Sequence, residues 1–368
     1  MKFTCEREAI LHEIANAYEI ISVRNSLSIL SNVLLDVSER KLTIRATDLK
    51  VNYESTIPVE VKQHGSVTVF CDKLHGILRS LPDGEVELEL SEDTVLRISP
   101  VFKNIRFQLK GIAADKYPPF QGDAEEQGFT FGKQDLIEMI SHTLFAVSDD
   151  ETRYFMNGVF LEKQGDQIIM VATDGRRLAY ASKEVDAAVA DFKGVIIPPK
   201  VLSVVRRQAP REGELRMTVS ERGFHVSFDT QHLSSNLIEA QFPNYQRVIP
   251  ERQEQRLLIE RGAFEEALRR VSLLVEQKSR RIYLESRPDN LVIRSSEGEI
   301  GAAREEVPCQ YDGPEIVLAF NFEYLLEPLR EMSGDQVALE FTDSGKALSL
   351  RPEPEGDFFH IVMPMQSS

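Results

Sequence analysis

The sequence predicts an α+β protein built from three copies of one domain, each carrying antiparallel strands and two helices. Three observations carry that expectation. Each third opens on a short apolar strand that runs into a helix start: Phe3-Thr4-Cys5-Glu6-Arg7, Phe129-Thr130-Phe131-Gly132-Lys133 and Leu257-Leu258-Ile259-Glu260-Arg261. Arg7, Lys133 and Arg261 then fall on one repeat position, and Ala46-Thr47-Asp48-Leu49 returns as Ala172-Thr173-Asp174-Gly175 at the same offset that separates Arg7 from Lys133. The chain is also 368 residues long, beyond the roughly 250–300 at which a single core stops growing. The period is that of a whole domain, because solenoid and propeller units run roughly 20–50 residues. The expected boundaries are 1–125, 126–250 and 251–368. Three similar domains in a row supply quasi-symmetry, which suggests a ring or an arc.

The elements of the repeat follow in order. In the first third, Ile10, Leu11, Ile14, Tyr18 and Ile21 recur near the helical period and predict a helix over 6–20. Residues 33–37 and 41–46 read as strands around the polar turn Ser38-Glu39-Arg40. Val67-Thr68-Val69-Phe70 leads into a short helix over 73–81, which Pro82-Asp83-Gly84 closes. Alternating strands follow at 86–90 and 95–98. The second third repeats this order, with helices over 133–147 and 199–208 and strands at 158–162 and 168–171. The last third has helices near 262–275 and 321–332. Lys116-Tyr117-Pro118 and Gln241-Phe242-Pro243 close their repeats alike and mark the linkers. The helices are expected on one face of the sheets.

Composition narrows the function. Hydrophobic residues make up 42% of the chain, enough for real cores. A net charge of −16 argues against a protein that grips nucleic acid over its whole surface, though not against a local basic track. Three distant cysteines, Cys5, Cys71 and Cys309, do not make a disulfide framework and point to a reducing compartment. Met1-Lys2-Phe3 runs directly into strand with no apolar targeting core, so a soluble intracellular protein is expected. There is no Gly-x-x-x-x-Gly-Lys phosphate loop, no His-Glu-x-x-His and no Cys-x-x-Cys. His225 and His232 read as surface decoration rather than a metal site, and Thr173-Asp174-Gly175-Arg176-Arg177, taken alone, as a plain turn. Nothing in the residues asks for catalysis, a metal or a cofactor.

Five segments, in order along the whole chain, carry a family resemblance. They are residues 1–8 (Met-Lys-Phe-Thr-Cys-Glu-Arg-Glu), Arg24-Asn25-Ser26-Leu27-Ser28-Ile29-Leu30-Ser31-Asn32, Val171-Ala172-Thr173-Asp174-Gly175-Arg176-Arg177-Leu178-Ala179, Phe242-Pro243-Asn244-Tyr245-Gln246-Arg247-Val248-Ile249-Pro250, and Val362-Met363-Pro364-Met365. With them the chain resembles the bacterial DNA polymerase III beta subunits, the sliding clamps. The resemblance implies a head-to-tail homodimer closed into a six-domain ring, sheets outside and two helices per domain inside. Such a ring encircles duplex DNA, slides freely and tethers the replicative polymerase. Clamp loader, other polymerases and repair proteins would dock through a hydrophobic cleft, in the bacterial cytoplasm with the nucleoid. A repeat-built enzyme with its site between domains and a monomeric scaffold are the rival classes, separable by turnover and by dimer mass.

A ring that slides needs sequence-independent phosphate attraction. Residues 6–19, 72–81, 133–146, 199–211, 261–275 and 321–332, which span the six expected helices, sum to zero formal charge while the whole chain carries −16, so they are relatively depleted of negative charge. Lys200, Arg206, Arg207 and Arg211, then Arg269 and Arg270, are the local basic candidates, although the first and last helices are not basic. By resemblance Arg24, Arg153 and Tyr154 touch DNA; Phe155 lacks the hydroxyl usual at its position, and Asp149, Asp150 and Glu151 make that loop acidic. The resemblance assigns the docking cleft to Met156, Thr173, Gly175, Arg176, Arg177, Leu178, Pro243, Arg247, Val248, Ile361, Met363, Pro364 and Met365. Methionines and small apolar groups suit an adaptable pocket, with Arg176, Arg177 and Arg247 as its polar rim. Ser279 stands where similar clamps have an aromatic, which makes that wall shallower. Ring closure is expected to bring Phe107 of one subunit near Leu273 and Leu274 of the other, with an edge strand paired across the boundary.

Overall fold

A computed structural model describes residues 1–21, 28–119, 128–187, 189–221, 223–298 and 301–366. The chain divides into two compact units: Met1–Gln134 with Lys200–Leu237, and Asp135–Pro199 with Ile238–Ser368. Each is built on one antiparallel sheet, and neither coincides with a sequence repeat.

The sheet of the first unit has thirteen strands among the described residues. Their order is Phe129–Gly132, Glu214–Val219, Gly223–Phe228, Gln231–Asn236, Val51–Pro58, Lys41–Thr47, Asn32–Ser38, Gly65–Phe70, Phe107–Ile112, Val95–Pro100, Glu85–Leu90, Lys2–Glu6 and Glu60–Gln63. Strand Gln231–Asn236, from the middle third, pairs with Val51–Pro58 of the first third, with Leu233 opposite Tyr53. Helix α1 (Arg7–Ile20) buries Ile10, Ile14, Ala17 and Ile20, the spacing of an inward helical stripe. Helix α2 (Cys71–Ser80) packs beside it on Cys71, Leu74 and Leu78.

The second unit repeats the plan with twelve described strands. These run Val195–Ile197, Val159–Gln164, Gln167–Thr173, Arg177–Glu184, Phe358–Val362, Leu348–Glu353, Gln336–Phe341, Gln255–Glu260, Arg304–Gln310, Asn290–Ser295, Arg281–Arg287 and Ile316–Asn321. Strand Arg177–Glu184 of the middle third lies against Phe358–Val362 of the last, with Leu178 opposite Ile361. The middle third is thus shared between two sheets, because its two halves each find their hydrogen-bonding edge on a neighbouring repeat.

The remaining helices sit close to their expected places. Helix α3 (Lys133–Thr143) stops short of 147, where Leu144–Ala146 tightens into a 3-10 turn. The Thr143 hydroxyl donates to the Met139 carbonyl at 2.7 Å, a local bond that competes with helix continuation. Helix α4 (Pro199–Gln208) starts on a proline, whose missing N–H costs nothing at a first turn. Helix α5 (Arg261–Ser272) is capped by the Glu260 carboxylate, which accepts from the Gly262 and Ala263 amides, satisfying donors that have no partner within the helix. Helix α6 (Phe322–Glu331) is capped by Asn321 on Glu323 N at 3.0 Å. Helices α5 and α6 pack on each other and on strands of the second sheet. Strand Glu60–Gln63, with Val61 as its one apolar residue, is not legible in the apolar pattern.

The cysteines are free. Burial pushes the Cys5 and Cys71 thiols up to about 12 and Cys309 to about 11, so all three are protonated and inert at neutral pH. Among the described residues no helix is long and apolar enough to cross a membrane.

Candidate functional site

A concavity of the second unit lies over the pairing of Arg177–Glu184 with Phe358–Val362. Underneath is a buried cluster of Ile169, Val171, Leu178, Ile196, Phe242, Tyr245 and Ile361. Phe242 stacks on Phe160 with ring centroids 4.8 Å apart. The Tyr245 hydroxyl donates to Glu162 Oε1 at 2.5 Å, and burial raises its pKa, so it stays a donor. Leu178 and Ile361, opposite each other on adjacent strands, come up through this cluster as the floor.

One wall is the turn after strand Gln167–Thr173. Asp174 Oδ1 accepts from the amides of Arg176 and Arg177 at 2.8 and 3.0 Å, and Thr173 Oγ1 accepts from Gly175 N at 3.1 Å. The Asp-Gly turn read from the sequence is therefore tied by its own side chains. Gly175 has φ +85°, a region disfavoured for residues with a Cβ. A Cβ there would also stand 2.9 Å from Arg153 Nη1. The opposite lip is the segment after Phe358–Val362, held by two backbone bonds: Met363 N to Arg176 O at 2.9 Å and Met365 N to Ala319 O at 2.7 Å.

These elements enclose an open apolar cavity of about 180 Å³, lined by Met156, Thr173, Gly175, Arg176, Arg177, Leu178, Pro243, Asn244, Tyr245, Val248, Ile361 and Met363. A void of roughly 150 Å³ holds a benzene ring, so this one seats an aromatic or leucine side chain. Val248 and Met363 are 49% and 45% exposed. Apolar groups are thus left open to solvent at the mouth of an apolar pocket.

The expected cleft residues differ in what they do. Arg247, Pro364 and Met365 stand outside the lining, while Asn244 and Tyr245, which the sequence reading passed over, form part of it. Both sit in the motif quoted for the resemblance, so the signal was present. Arg177 was expected on the polar rim, but its guanidinium is turned inward. It donates to Asp174 Oδ2 at 3.2 Å, to Phe145 O at 2.6 Å and to Glu327, and it lies over the Tyr324 ring at 4.5 Å. Buried amid these acceptors, it braces the cleft and leaves the charged rim to Arg176. Ser279 is also outside the lining; its hydroxyl donates to Glu276 at 3.1 Å.

Comparison with known proteins decides what kind of chain carries this cleft. Three family models match in succession: the DNA polymerase III beta subunit N-terminal domain over 1–121, its central domain over 130–244 and its C-terminal domain over 246–366. The chain belongs to the DNA polymerase III beta subunit family. It is 46% identical to the beta sliding clamp of Treponema pallidum and 28% identical to that of Escherichia coli, with 100% of both chains covered in each case. A crystal structure of the Pseudomonas aeruginosa DNA polymerase III beta subunit, 30% identical, superposes with a TM-score of 0.94 over 100% of both chains. The chain is accordingly a sliding clamp, a non-catalytic processivity factor of DNA replication. Beta clamps act as homodimers that bind DNA, polymerase III and the clamp loader.

The clamp's expected DNA contacts are largely engaged within the protein. Arg24 lies outside the described residues. Arg153 Nε donates to Asp150 at 2.9 Å and Nη1 to Asp174 O at 3.1 Å, so this arginine props the cleft turn, while Tyr154 beside it is 55% exposed. Lys200 is bound to Asp48 and to Ile20 O, and Arg207 pairs with Glu19 at 3.1 Å. Arg269 pairs with Glu265, and Arg270 with Glu305 at 2.6 Å and Glu266 at 3.1 Å. The bond from Arg270 holds Glu305 below the usual carboxylate range. Arg206 sits in the last turn of α4, and exposed Arg211 follows beyond the helix end. Arg269 and Arg270 find Glu265 and Glu266 one turn back on α5, whereas Lys200 and Arg207 reach carboxylates on other elements. Such exposed pairs are worth ~0–1 kcal/mol each, so a phosphate competes with them readily.

Of the residues expected at ring closure, Phe107 is half-buried, Leu274 is 36% exposed and Leu273 is 81% exposed just after α5. A leucine left so bare at a helix end belongs to no core of its own protomer.

Proposed function

We propose that the cleft around Met156, Leu178, Pro243, Val248, Ile361 and Met363 is where short tails of the polymerase, clamp loader and repair proteins dock. A tail would sink one aromatic or leucine anchor into the cavity and lay its polar backbone along Arg176, with Arg247 farther out. The apolar cavity with its two exposed lips is the observation that carries this reading. A Pseudomonas aeruginosa relative, 30% identical with a TM-score of 0.94, has been solved bound to griselimycin, so clamps of this kind accept ligands. The reading further takes 1–125, 126–250 and 251–368 as the three clamp domains and places the chain in the bacterial cytoplasm with the nucleoid. Phosphate contacts from Arg24, Tyr154 and the α4 and α5 cations would supply the sequence-independent attraction a sliding ring requires.

Topological retention tests the clamp action. The protein is loaded on nicked circular DNA with its matched loader and ATP, free protein is removed, and the circle is cut once. Retention on the circle and rapid loss after cutting is the expected result; retention that survives cutting would mean direct binding.

Closure of the ring is assigned to Phe107 meeting Leu273 and Leu274 of a second copy. Phe107→Arg or Leu273→Asp should shift the mass in solution from dimer to monomer, with the circular dichroism spectrum unchanged. A dimer that persists in both variants would refute the assignment.

A further inference from the structure

The first unit holds a second copy of the frame that carries the cleft. Asp48 Oδ1 accepts from the amides of Lys50 and Val51 at 2.9 and 2.7 Å, and Thr47 Oγ1 accepts from Leu49 N at 2.9 Å. These are the bonds of the Asp174 turn, residue for residue. Leu49 takes φ +75°, close to the +85° of Gly175, although a leucine is strained in that region. The lip bond is repeated too. Asn236 N, at the end of strand Gln231–Asn236, donates to Lys50 O at 3.0 Å, as Met363 N after Phe358–Val362 donates to Arg176 O at 2.9 Å.

The two frames differ in the floor. Asn52 stands opposite Ser234 on paired strands where the second unit has Leu178 opposite Ile361. Tyr53, the next residue, turns to α1, where Glu13 accepts from its hydroxyl and from Gln231 Nε2 at 3.3 Å. Asn52 therefore faces the other side of the sheet, as Leu178 does beside the inward Arg177. Thr47 Oγ1 donates to Asn52 Oδ1 at 2.6 Å, and Asn52 Nδ2 donates to Ser234 Oγ at 3.2 Å. Asn52 is half-buried and Ser234 buried. An apolar anchor laid on Leu178 and Ile361 removes apolar surface from water on both sides. Laid on Asn52, it would cover the remaining amide N–H and lone pair and offer them no partner, which costs free energy.

We infer that the Asn52–Ser234 pair is a selectivity device. It silences the first unit's copy of the docking frame, so partner tails find one site per protomer where the repeat has built the frame twice. The inference rests on the docking reading above and deepens it. Turn and lip are common to both copies, and the floor pair decides which copy accepts an apolar anchor.

The full-length dimer is titrated calorimetrically with a polymerase-tail peptide, and dimer mass and circular dichroism are followed as controls. Wild type should take one peptide per protomer. Asn52→Leu with Ser234→Ile should take a second, and this variant should keep one when residues 363–368 are also deleted. Asn52→Leu alone, which leaves the buried serine in place, should gain a weaker second site and keeps the inference testable if the double variant does not fold. The reciprocal exchange, Leu178→Asn with Ile361→Ser, should weaken the cleft at least about thirtyfold, the loss of one central apolar contact. A folded dimer with the apolar floor in its first unit that still takes one peptide, and none after the deletion, would overturn the silencing while leaving the cleft in place. Unchanged affinity in the reciprocal exchange would overturn the docking reading, and the silencing with it.

Discussion

Removal of residues 363–368 should abolish binding of a polymerase-tail peptide while leaving the dimer intact. Met363 supplies one lip of the cavity, and its amide bond to Arg176 O fixes the spacing to the Gly175 turn. Truncation removes the lip and leaves the turn carbonyl unpaired. Central apolar contacts of an interface typically carry ~2–4 kcal/mol each, so the dissociation constant should rise at least about thirtyfold. The floor, made by Leu178 and Ile361 in paired strands, stays in place because the deletion begins after Val362. Calorimetric titration of the peptide, with dimer mass as control, checks this. Unchanged affinity would show that the docking site lies elsewhere.

Acid should loosen the same strand from behind. His360 is fully buried on the face of the strand opposite Ile361, its ring among Phe145, His142 and Phe358, with neither ring nitrogen hydrogen bonded, and His142 stacks on Phe358 at 3.6 Å. Burial pushes His142 down to about 4, against the opposing pull of Glu138 and Asp357, while Lys183 adds to the lowering. Burial also holds His360 well below the usual range, helped by His142 and Arg177. An unfolded imidazole takes a proton below about 6.5; the folded His142 does so only near 4. Between these values the unfolded chain binds more protons, so stability falls as pH falls. From His142 alone the loss is about 3 kcal/mol between pH 6.5 and 4. Urea unfolding across that range should therefore be steep in the wild type and flatter in His142→Phe with His360→Leu. An identical acid slope in the double variant would assign the acid lability to other groups.

The parts legible in the sequence were those with a local cause. Ile10, Leu11, Ile14 and Tyr18 carry a helical period that needs no partner to be seen, and the Asp174-Gly175 turn is held by the Asp174 carboxylate and the Thr173 hydroxyl. The cleft could be named because its residues sit in contiguous motifs. What stayed hidden depended on side chains distant in sequence. Arg177 looks like a rim arginine until Glu327, Phe145 and Tyr324 are brought to it. Helix α1 looks acidic until Glu13 is seen accepting from Tyr53 and Gln231. Strand Phe107–Ile112 alternates Phe107 and Leu109 with Gln108 and Lys110, but nothing local shows that it changes partner along its length, from Val95–Pro100 to Gly65–Phe70.

The sharing of the middle third between two sheets bears on how the chain is born. The first sheet has all its described strands once residue 236 has left the ribosome. The second cannot close then, because Phe358–Val362 must slot between Arg177–Glu184 and Leu348–Glu353. Until that late strand emerges, residues 177–184 present an open edge, the kind of surface that recruits strands from other chains. Nascent chains that end before it therefore carry that unpaired edge, and the last strand acts as the final stitch of a seam left open while nearly half the chain is made.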